Sequence, residues 1–504
     1  MLTNLLSSPT DFPAKVHLVG VCGAGMKALA EYLVDCGWHV SGCDGDPDPQ
    51  VMRSLAGLGV NVQTGHACEH LSNSLRLLIY SPAVGPQNVE RMEAARRNLP
   101  TLSYVEALSQ LTWSLDAVAI AGTHGKSTTT AMLGQILKSA NFPASVLCGG
   151  ESLQQGRSGW AETGRTLIVE ACEFRRHFLN LRPHLACLLG IEADHFDCYP
   201  TLHDAESAYR EFAMHALHPC FSTSDGSGDT TNVSTASIDA TRMASSASSE
   251  PPCLSDARRA LIVRSDCPTT QRVIHGLTGR IITFSLVDSH ADWQAVHRRP
   301  APQGLSFCLQ HSGVISEEFR LAVPGLHNVQ NALAAAACAS ELGLPVEQIV
   351  SGLRAFRGLR RRFEILGTWR GARIVDDYAH HPTEVRATLI AARAAFPDKK
   401  LICLFQPHQL SRTSALLEDF AAALSLADRV YLLPVYAARE IAGEEQFRLS
   451  QELLGKITVP ASLISALDRV WRTVQTDANM DAVFLTLGAG SLSRIHHDDI
   501  ERVK

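Results

Sequence analysis

Apolar and polar positions along this chain repeat in two periods, one near two residues and one near four. Lys15-Val-His-Leu-Val-Gly-Val21 reads as a short buried strand. From Met26 to Cys36 the apolar positions recur at helical spacing, and Gly37 is placed to end that helix. Trp38 to Asp44 predicts a second strand ending in an acid, and Leu75 to Ser81 a later buried strand closed by Pro82. The pattern restarts at Asp116-Ala-Val-Ala-Ile-Ala121, followed by a glycine loop and a helix with apolar Met132, Leu133, Ile136, Leu137 and Ala140. Leu167–Glu170, Leu185–Leu189 and Ala260–Val263 predict further short strands, and an alanine-rich helix runs from about Asn328 to Leu342. A third unit begins near Arg360, with strands predicted at Ala372–Asp376, Leu401–Phe405, Arg429–Leu433 and Ala482–Thr486. Strands alternating with helices predict α/β units built on parallel sheets.

One stretch breaks the pattern. Residues 221–256 are dominated by Ser, Thr, Asp and Ala and end near Pro251-Pro252. Such a segment buries little apolar surface, so a disordered insertion is expected there.

Composition narrows the class. With 504 residues, 45% apolar and 19% charged, the chain is an ordinary folded protein of about three domains. A net charge of -6 provides no global field for nucleic acid or anionic lipid. The 14 cysteines form no C-x-x-C pair, which argues against zinc at the usual spacing and favours reduced thiols. The first residues lack the pattern of a signal peptide, and no apolar run reaches the roughly 20 residues of a membrane span. A cytoplasmic location without membrane or nucleic-acid partners is expected.

The chemistry gathers where predicted strands end, as ligands do in open α/β sheets. Gly122-Thr123-His124-Gly125-Lys126-Ser127-Thr128 follows a buried strand and opens a helix. Unpaired N–H groups at such a helix start bind phosphate, Lys126 neutralises it, and the Ser127 hydroxyl suits Mg²⁺. The usual P-loop glycine position is held by Ile120, so the match is partial. Glu170-Ala-Cys-Glu173 and Glu192-Ala-Asp-His195-Phe-Asp197 supply acids and an imidazole for a metal-bound nucleotide. His327, Asn328 and Asn331 open the alanine-rich helix, where Asn328 also suits a cap. Arg360-Arg-Arg362 precedes Asp376-Asp377-Tyr378-Ala-His380-His, and His408 and Arg412 follow another strand, where Arg can grip a carboxylate. Gly23, Gly25 and Ala28 fit the dinucleotide pattern G-x-G-x-x-A, but any diphosphate meets the same physical demand.

In this order the segments VHLVGVCGAGM, IYSPAV, GTHGKSTTT, EACEFRRHFLNLRPH, IEADHFDCY, VPGLHNVQNALAA, RRRFE, VDDYAHHPTEV, FQPHQLSRT and LGAGS resemble the Mur ligases, in their alanine-adding branch. The resemblance covers nearly the whole chain except the Ser/Thr-rich insertion. It implies three α/β domains: a Rossmann-like UDP-sugar-binding domain at 1–114, a central P-loop-type ATP-binding domain at 115–358, and a Rossmann-like C-terminal domain at 359–504 that receives the amino acid and closes the site. By matching position it implies UDP-sugar contacts at Gly23, Ala24, Gly25 and Ser81. ATP contacts fall at Gly122 through Thr128 and at His327, Asn328, Asn331, Arg362 and Asp377. Mg²⁺ falls to Ser127, Glu170 and His195. Tyr378, His380, His408 and Arg412 face the acceptor, and Lys126, His195 and Arg362 act in catalysis.

The implied activity is ATP-dependent joining of L-alanine to the carboxylate of UDP-N-acetylmuramate through an acyl phosphate, in peptidoglycan precursor synthesis. The alternatives are a ligase that recycles a tripeptide onto the same nucleotide, and a degenerate UDP-sugar-binding sensor. An NAD-dependent oxidoreductase would leave Lys126, Glu170 and His195 without roles. The chain departs from the family pattern at Cys172, Gly190 and Gln409, where Asp, Asn and Arg are usual. Thr201 to His218 contains no lysine of the kind that sister branches carbamylate, in keeping with the alanine-adding branch.

Overall fold

The computed structural model describes residues 14–218, 259–301, 304–495 and 500–502, so the insertion expected at 221–256 lies outside the described residues. The apolar runs pair into three sheets. The first has five parallel strands in the spatial order Asn61–Thr64, His39–Asp44, Lys15–Val19, Leu75–Tyr80, Thr101–Ser103. The chain reverses its direction of travel across the sheet at the central strand Lys15–Val19. There Gly20 turns at φ +80°, with Ser81 Cβ 2.9 Å from where a side chain would start. Helix Ala24–Asp35 follows, ended by Cys36 and Gly37 as the sequence predicts.

The second sheet has eleven strands. Asp116–Ala121 lies between Thr166–Glu170 and Leu185–Leu188, so the glycine loop emerges between two strand ends that carry functional groups. Helix Lys126–Ser139 packs against the alanine-rich helix Leu326–Glu341 and against Val346–Ala355. Ala332 through Ala339 are all buried, and small side chains allow this close approach. The periodicity did not predict the antiparallel margins of this sheet. Ala144–Ser152 pairs with Arg157–Trp160 at one edge, and Trp293–Ala301 with Gly304–His311 near the other.

The third sheet runs Ala461–Leu463, Arg429–Leu432, Lys400–Phe405, Ala482–Leu487, Ala372–Asp377, Glu364–Trp369, Glu501–Arg502. Its centre is parallel, and its last two pairings are antiparallel.

The first and second units are joined through backbone. The fully buried Glu31 carboxylate accepts the Ser158 and Gly159 N–H groups at 2.7 and 2.8 Å. Arg157 donates to Asp35 at 3.0 Å, and any side chain at Gly159 would strike the Ala28 backbone. Lys27 donates to Glu151 at 2.5 Å, and Arg360 of the third unit reaches the same carboxylate.

Candidate active site

The glycine loop owes its shape to two residues with positive φ, Gly122 and Gly125. The Asn331 amide oxygen occupies the space that a Gly125 side chain would need. The helix then begins at Lys126, with its first N–H groups directed outward. Lys126 Nζ donates to the carbonyls of Gly122 and Thr123 at 2.6 and 3.1 Å, and to Glu173 at 3.0 Å. Burial works against the ammonium charge, but Glu173, Cys172 and Glu170 outweigh it and hold the lysine pKa above its usual value. Burial likewise raises the Glu173 pKa, and Lys126 and His195 more than offset this and leave it lowered. His195 Nε2 lies 3.5 Å from Glu173, while its buried Nδ1 has no hydrogen-bond partner. Glu173 stood in a motif the sequence singled out, but nothing local marked it as the partner of Lys126.

A cavity of about 1590 Å³ opens at this helix start and reaches all three units. Ala24 and Gly25 line it from the first unit. Thr123, Gly125, Lys126, Ser127, Glu170 and His195 line it from the second, and Arg362, Tyr378 and His380 from the third. Gly25 lies against Tyr104, whose hydroxyl is 2.6 Å from where a side chain would begin.

Other residues singled out in the sequence stand behind this wall. Gly23 caps the first helix, Ser81 packs under Gly20, and Thr128 is buried in the first turn after Lys126. Asn328 donates to the Pro324 carbonyl at 2.6 Å and accepts from Asn331 at 3.3 Å. Burial, with Arg362 and His124 nearby, lowers the His327 pKa to about 4 despite Glu384. Asp377 accepts the Phe363 and Ala379 N–H groups at 2.8 and 2.7 Å and shapes the turns on either side of Tyr378, while burial raises its pKa to about 6. The Arg361 and Arg362 guanidinium carbons each lie 5.1 Å from the Tyr378 ring centre.

The third unit closes on the second through charged and polar side chains. Arg412 is 2% exposed and donates to Asp194 at 2.7 Å, so it faces Asp194 rather than the cavity. His408 lies 3.4 Å from Arg412 and stacks on Tyr436. Burial, His380 and Arg412 together press the His408 pKa down to about 3, and burial first of all lowers that of His380 to about 4. His124 meets Glu384 at 3.2 Å and Glu192 at 3.6 Å. Burial opposes its charge, yet these two carboxylates raise its pKa to about 9. Thr383 donates to Glu192 at 2.6 Å. The sequence pointed to Glu192 and Asp194 as acids for a metal-bound nucleotide, not as partners of the third unit, and assigned Glu384 no role. All three lay inside quoted motifs, but Glu384 reads as an ordinary acid in the first turn of helix Pro382–Ala395.

The departures from the family pattern also have places. Cys172 stands beside Lys126 and Glu173. A side chain at Gly190 would face the Arg264 guanidinium, 3.5 Å away. Gln409 is buried at φ +71°.

A lysine at a helix start, ringed by carboxylates and an imidazole and closed over by a separate unit, defines an anion-handling, nucleotide-type site assembled from three parts. Family models match the chain at residues 15–113 (Mur ligase family, catalytic domain), 254–339 (Mur ligase middle domain) and 361–490 (Mur ligase, glutamate ligase domain). Several relatives bear the name UDP-N-acetylmuramate–L-alanine ligase. That of Chlorobaculum tepidum is 34% identical over 95% of this chain and 94% of its own length. That of Agathobacter rectalis is 32% identical over 97% and 98%. This chain belongs to the Mur ligase family. Solved structures share its fold. The UDP-N-acetylmuramate-alanine ligase of Thermotoga maritima gives a TM-score of 0.74 at 24% identity, with 95% of this chain and 97% of that one covered. A murein peptide ligase of Psychrobacter arcticus gives 0.69 at 23%, with 96% and 97% covered. Among the described residues, no helix is long and apolar enough to cross a membrane.

Proposed function

We propose that this chain ligates L-alanine to the carboxylate of UDP-N-acetylmuramate, converting ATP to ADP and phosphate, as a cytoplasmic step of peptidoglycan precursor synthesis. The observation that carries this reading is the meeting of Gly25, Lys126, Glu170, His195, Arg362 and Tyr378 around one cavity. The corresponding division of labour is UDP-sugar binding by residues 1–114, ATP binding by 115–358, and amino-acid binding with closure by 359–504.

The sugar carboxylate attacks the terminal phosphorus of ATP, ADP leaves, and an acyl phosphate forms. The alanine amine then attacks its carbonyl carbon, and the tetrahedral intermediate expels phosphate. The first step brings two anions together. The helix start at Lys126 binds phosphate oxygens through its free N–H groups. Lys126 exchanges its contacts with Glu173 and the loop carbonyls for phosphate, and Arg362 screens charge from the opposite wall. Ser127, Glu170 and His195, with Glu173, offer oxygen donors and one unpartnered imidazole nitrogen, a donor set that fits Mg²⁺. Mg²⁺ bound there supplies charge neutralisation at the phosphates. His380 lies in the cavity wall with a depressed pKa, so it is neutral at pH 7 and can accept a hydrogen bond from the attacking amine and orient it. The Asp194–Arg412 and His124–Glu384 contacts hold the third unit closed, which keeps water from the acyl phosphate.

The test is phosphate release from ATP with UDP-N-acetylmuramate, with and without L-alanine. Alanine-dependent release supports the proposal. Release dependent only on a tripeptide would assign the recycling reaction, and ligand binding without turnover would assign a sensor.

A further inference from the structure

A second set of ligating side chains lies away from the cavity, against the first sheet. His17 comes from strand Lys15–Val19, Cys43 from strand His39–Asp44, His70 from the turn Cys68–His70, and Glu90 from the first turn of helix Val89–Arg96. One donor atom of each lies within 4.8 Å of all the others. Glu90 Oε1 is 2.6 Å from His70 Nδ1 and 3.7 Å from His17 Nε2, and Glu90 Oε2 is 2.8 Å from Cys43 Sγ. His17, Cys43 and Glu90 have no exposed surface.

The hydrogen bonds around His17 leave a gap. The Ser41 hydroxyl lies 2.9 Å from His17 Nδ1 and 3.4 Å from the Val16 carbonyl, so in one tautomer it donates to Val16 and accepts from His17 Nδ1–H. In that tautomer the neutral ring carries a bare lone pair on Nε2, buried, without a hydrogen-bond partner, and facing a carboxylate oxygen. Two lone pairs aimed at each other in a dry interior are costly, since one unsatisfied buried group costs about 1–3 kcal/mol. A positive charge between them removes the cost. A second proton on His17 would serve that pair alone. A metal ion also accounts for the thiol and second imidazole that converge on the same point from separate elements.

We infer that the first unit holds a Zn²⁺ ion between His17 Nε2, Cys43 Sγ, His70 Nδ1 and a Glu90 carboxylate oxygen. Zinc bonds of about 2.0–2.3 Å place tetrahedral ligand atoms about 3.3–3.8 Å apart. The His17–Glu90 separation of 3.7 Å meets this, and on binding the ion the Glu90 carboxylate would draw back from His70 and Cys43, now at hydrogen-bond distances of 2.6 and 2.8 Å. Ser41 orients the His17 ring as an outer partner does in such sites. His66 Nδ1, 3.2 Å from Cys43 Sγ, supports the sulfur from the rim. Coordination takes Cys43 as thiolate and releases its proton to solvent. None of these residues lines the cavity, and all four ligands are filled by protein, so the site is structural. It pins the turn at His70 and the helix at Glu90 to the sheet, next to Asp44, whose carboxylate accepts the Cys22 N–H in the Gly20–Gly25 turn at 3.0 Å.

The full-length chain, stripped by chelator under reducing conditions, is titrated with Co²⁺ and then Zn²⁺. The expected result is one tightly bound ion per chain, tetrahedral cobalt bands in the visible and a thiolate charge-transfer band, all removed by Zn²⁺. Cys43→Ser abolishes the charge-transfer band and weakens Zn²⁺ binding at least ~100-fold, while Cys68→Ser leaves both unchanged. Wild-type protein that takes up no Co²⁺, or shows only octahedral bands, overturns the inference even if Cys43→Ser does not fold. A charge-transfer band that survives in folded Cys43→Ser overturns it too.

Discussion

The Asp194–Arg412 pair gives a quantitative test of how the third unit is held. Its side chains are 7% and 2% exposed, and Nε lies 2.7 Å from Oδ1. Replacing one partner strands the other charge in a dry contact, at about 3–5 kcal/mol. Asp194 keeps other favourable neighbours, because its Oδ1 accepts the His195 N–H at 2.7 Å and the His380 ring stands close. Arg412→Met is therefore expected at the lower end, near ~3 kcal/mol. Asp194→Asn removes the charge from the other side at a similar cost. The double variant should cost less than the two together by about 2 kcal/mol, the coupling of a close pair. Equilibrium urea unfolding of the full-length chain yields the cycle, and small-angle scattering reports whether the third unit swings away in each variant. Effects that add within ~0.5 kcal/mol would refute the reasoning, because independent sites behave that way. A compact scattering profile for both single variants would show that other contacts hold the unit closed.

Lys126→Ala should abolish turnover yet leave UDP-N-acetylmuramate binding intact, as read by calorimetry. Equal loss of both would break the assignment of separate units to separate substrates. His124 has a folded pKa of about 9 against 6.5 unfolded, so the folded chain holds the proton more tightly. The resulting stability of about 3 kcal/mol is complete below pH 6.5 and is lost as pH rises through 9. Urea midpoints across that window should fall in the wild type and stay level in His124→Gln. Gly25→Ala would set a methyl group against the Tyr104 ring and should weaken UDP-sugar binding ~10-fold, with recovery in the double variant carrying Tyr104→Ala. No recovery would show that the glycine serves the ligand directly.

The parts of the fold that could be read from sequence are those set by local period and local chain reversal. Strand Asp116–Ala121, its glycine loop and the helix behind it follow from neighbouring residues alone. The antiparallel margins do not. Gly149-Gly150 interrupts the first hairpin, where the register shifts between Leu147 and Ser152. At the site, residue types and their positions at strand ends were readable, but the pairings were not. Lys126 meets Glu173 across 47 positions and Arg412 meets Asp194 across 218, and no local pattern records such distances. Arg412 reads as a free carboxylate grip until the fold shows that a carboxylate of the chain already occupies it. The His17 cluster escaped because each ligand arrives singly from a different element, so spacing rules had nothing to detect.

The anchoring of Glu31 has a mechanical consequence. The first unit is tied to the second by backbone N–H groups that end on a buried carboxylate, with the Lys27–Glu151 and Arg157–Asp35 ion pairs beside it. The third unit meets the second through histidines, arginines and acids at and just behind the cavity wall. Charge arriving in the cavity, as phosphate, carboxylate or ammonium, therefore acts on the ionic seam of the third unit, while the seam of the first, which meets the cavity at Lys27, Glu151 and Ser158, keeps its buried anchor at Glu31. The molecule works as a fixed two-part cup under an ionic lid, and the substrates themselves set how firmly that lid is held.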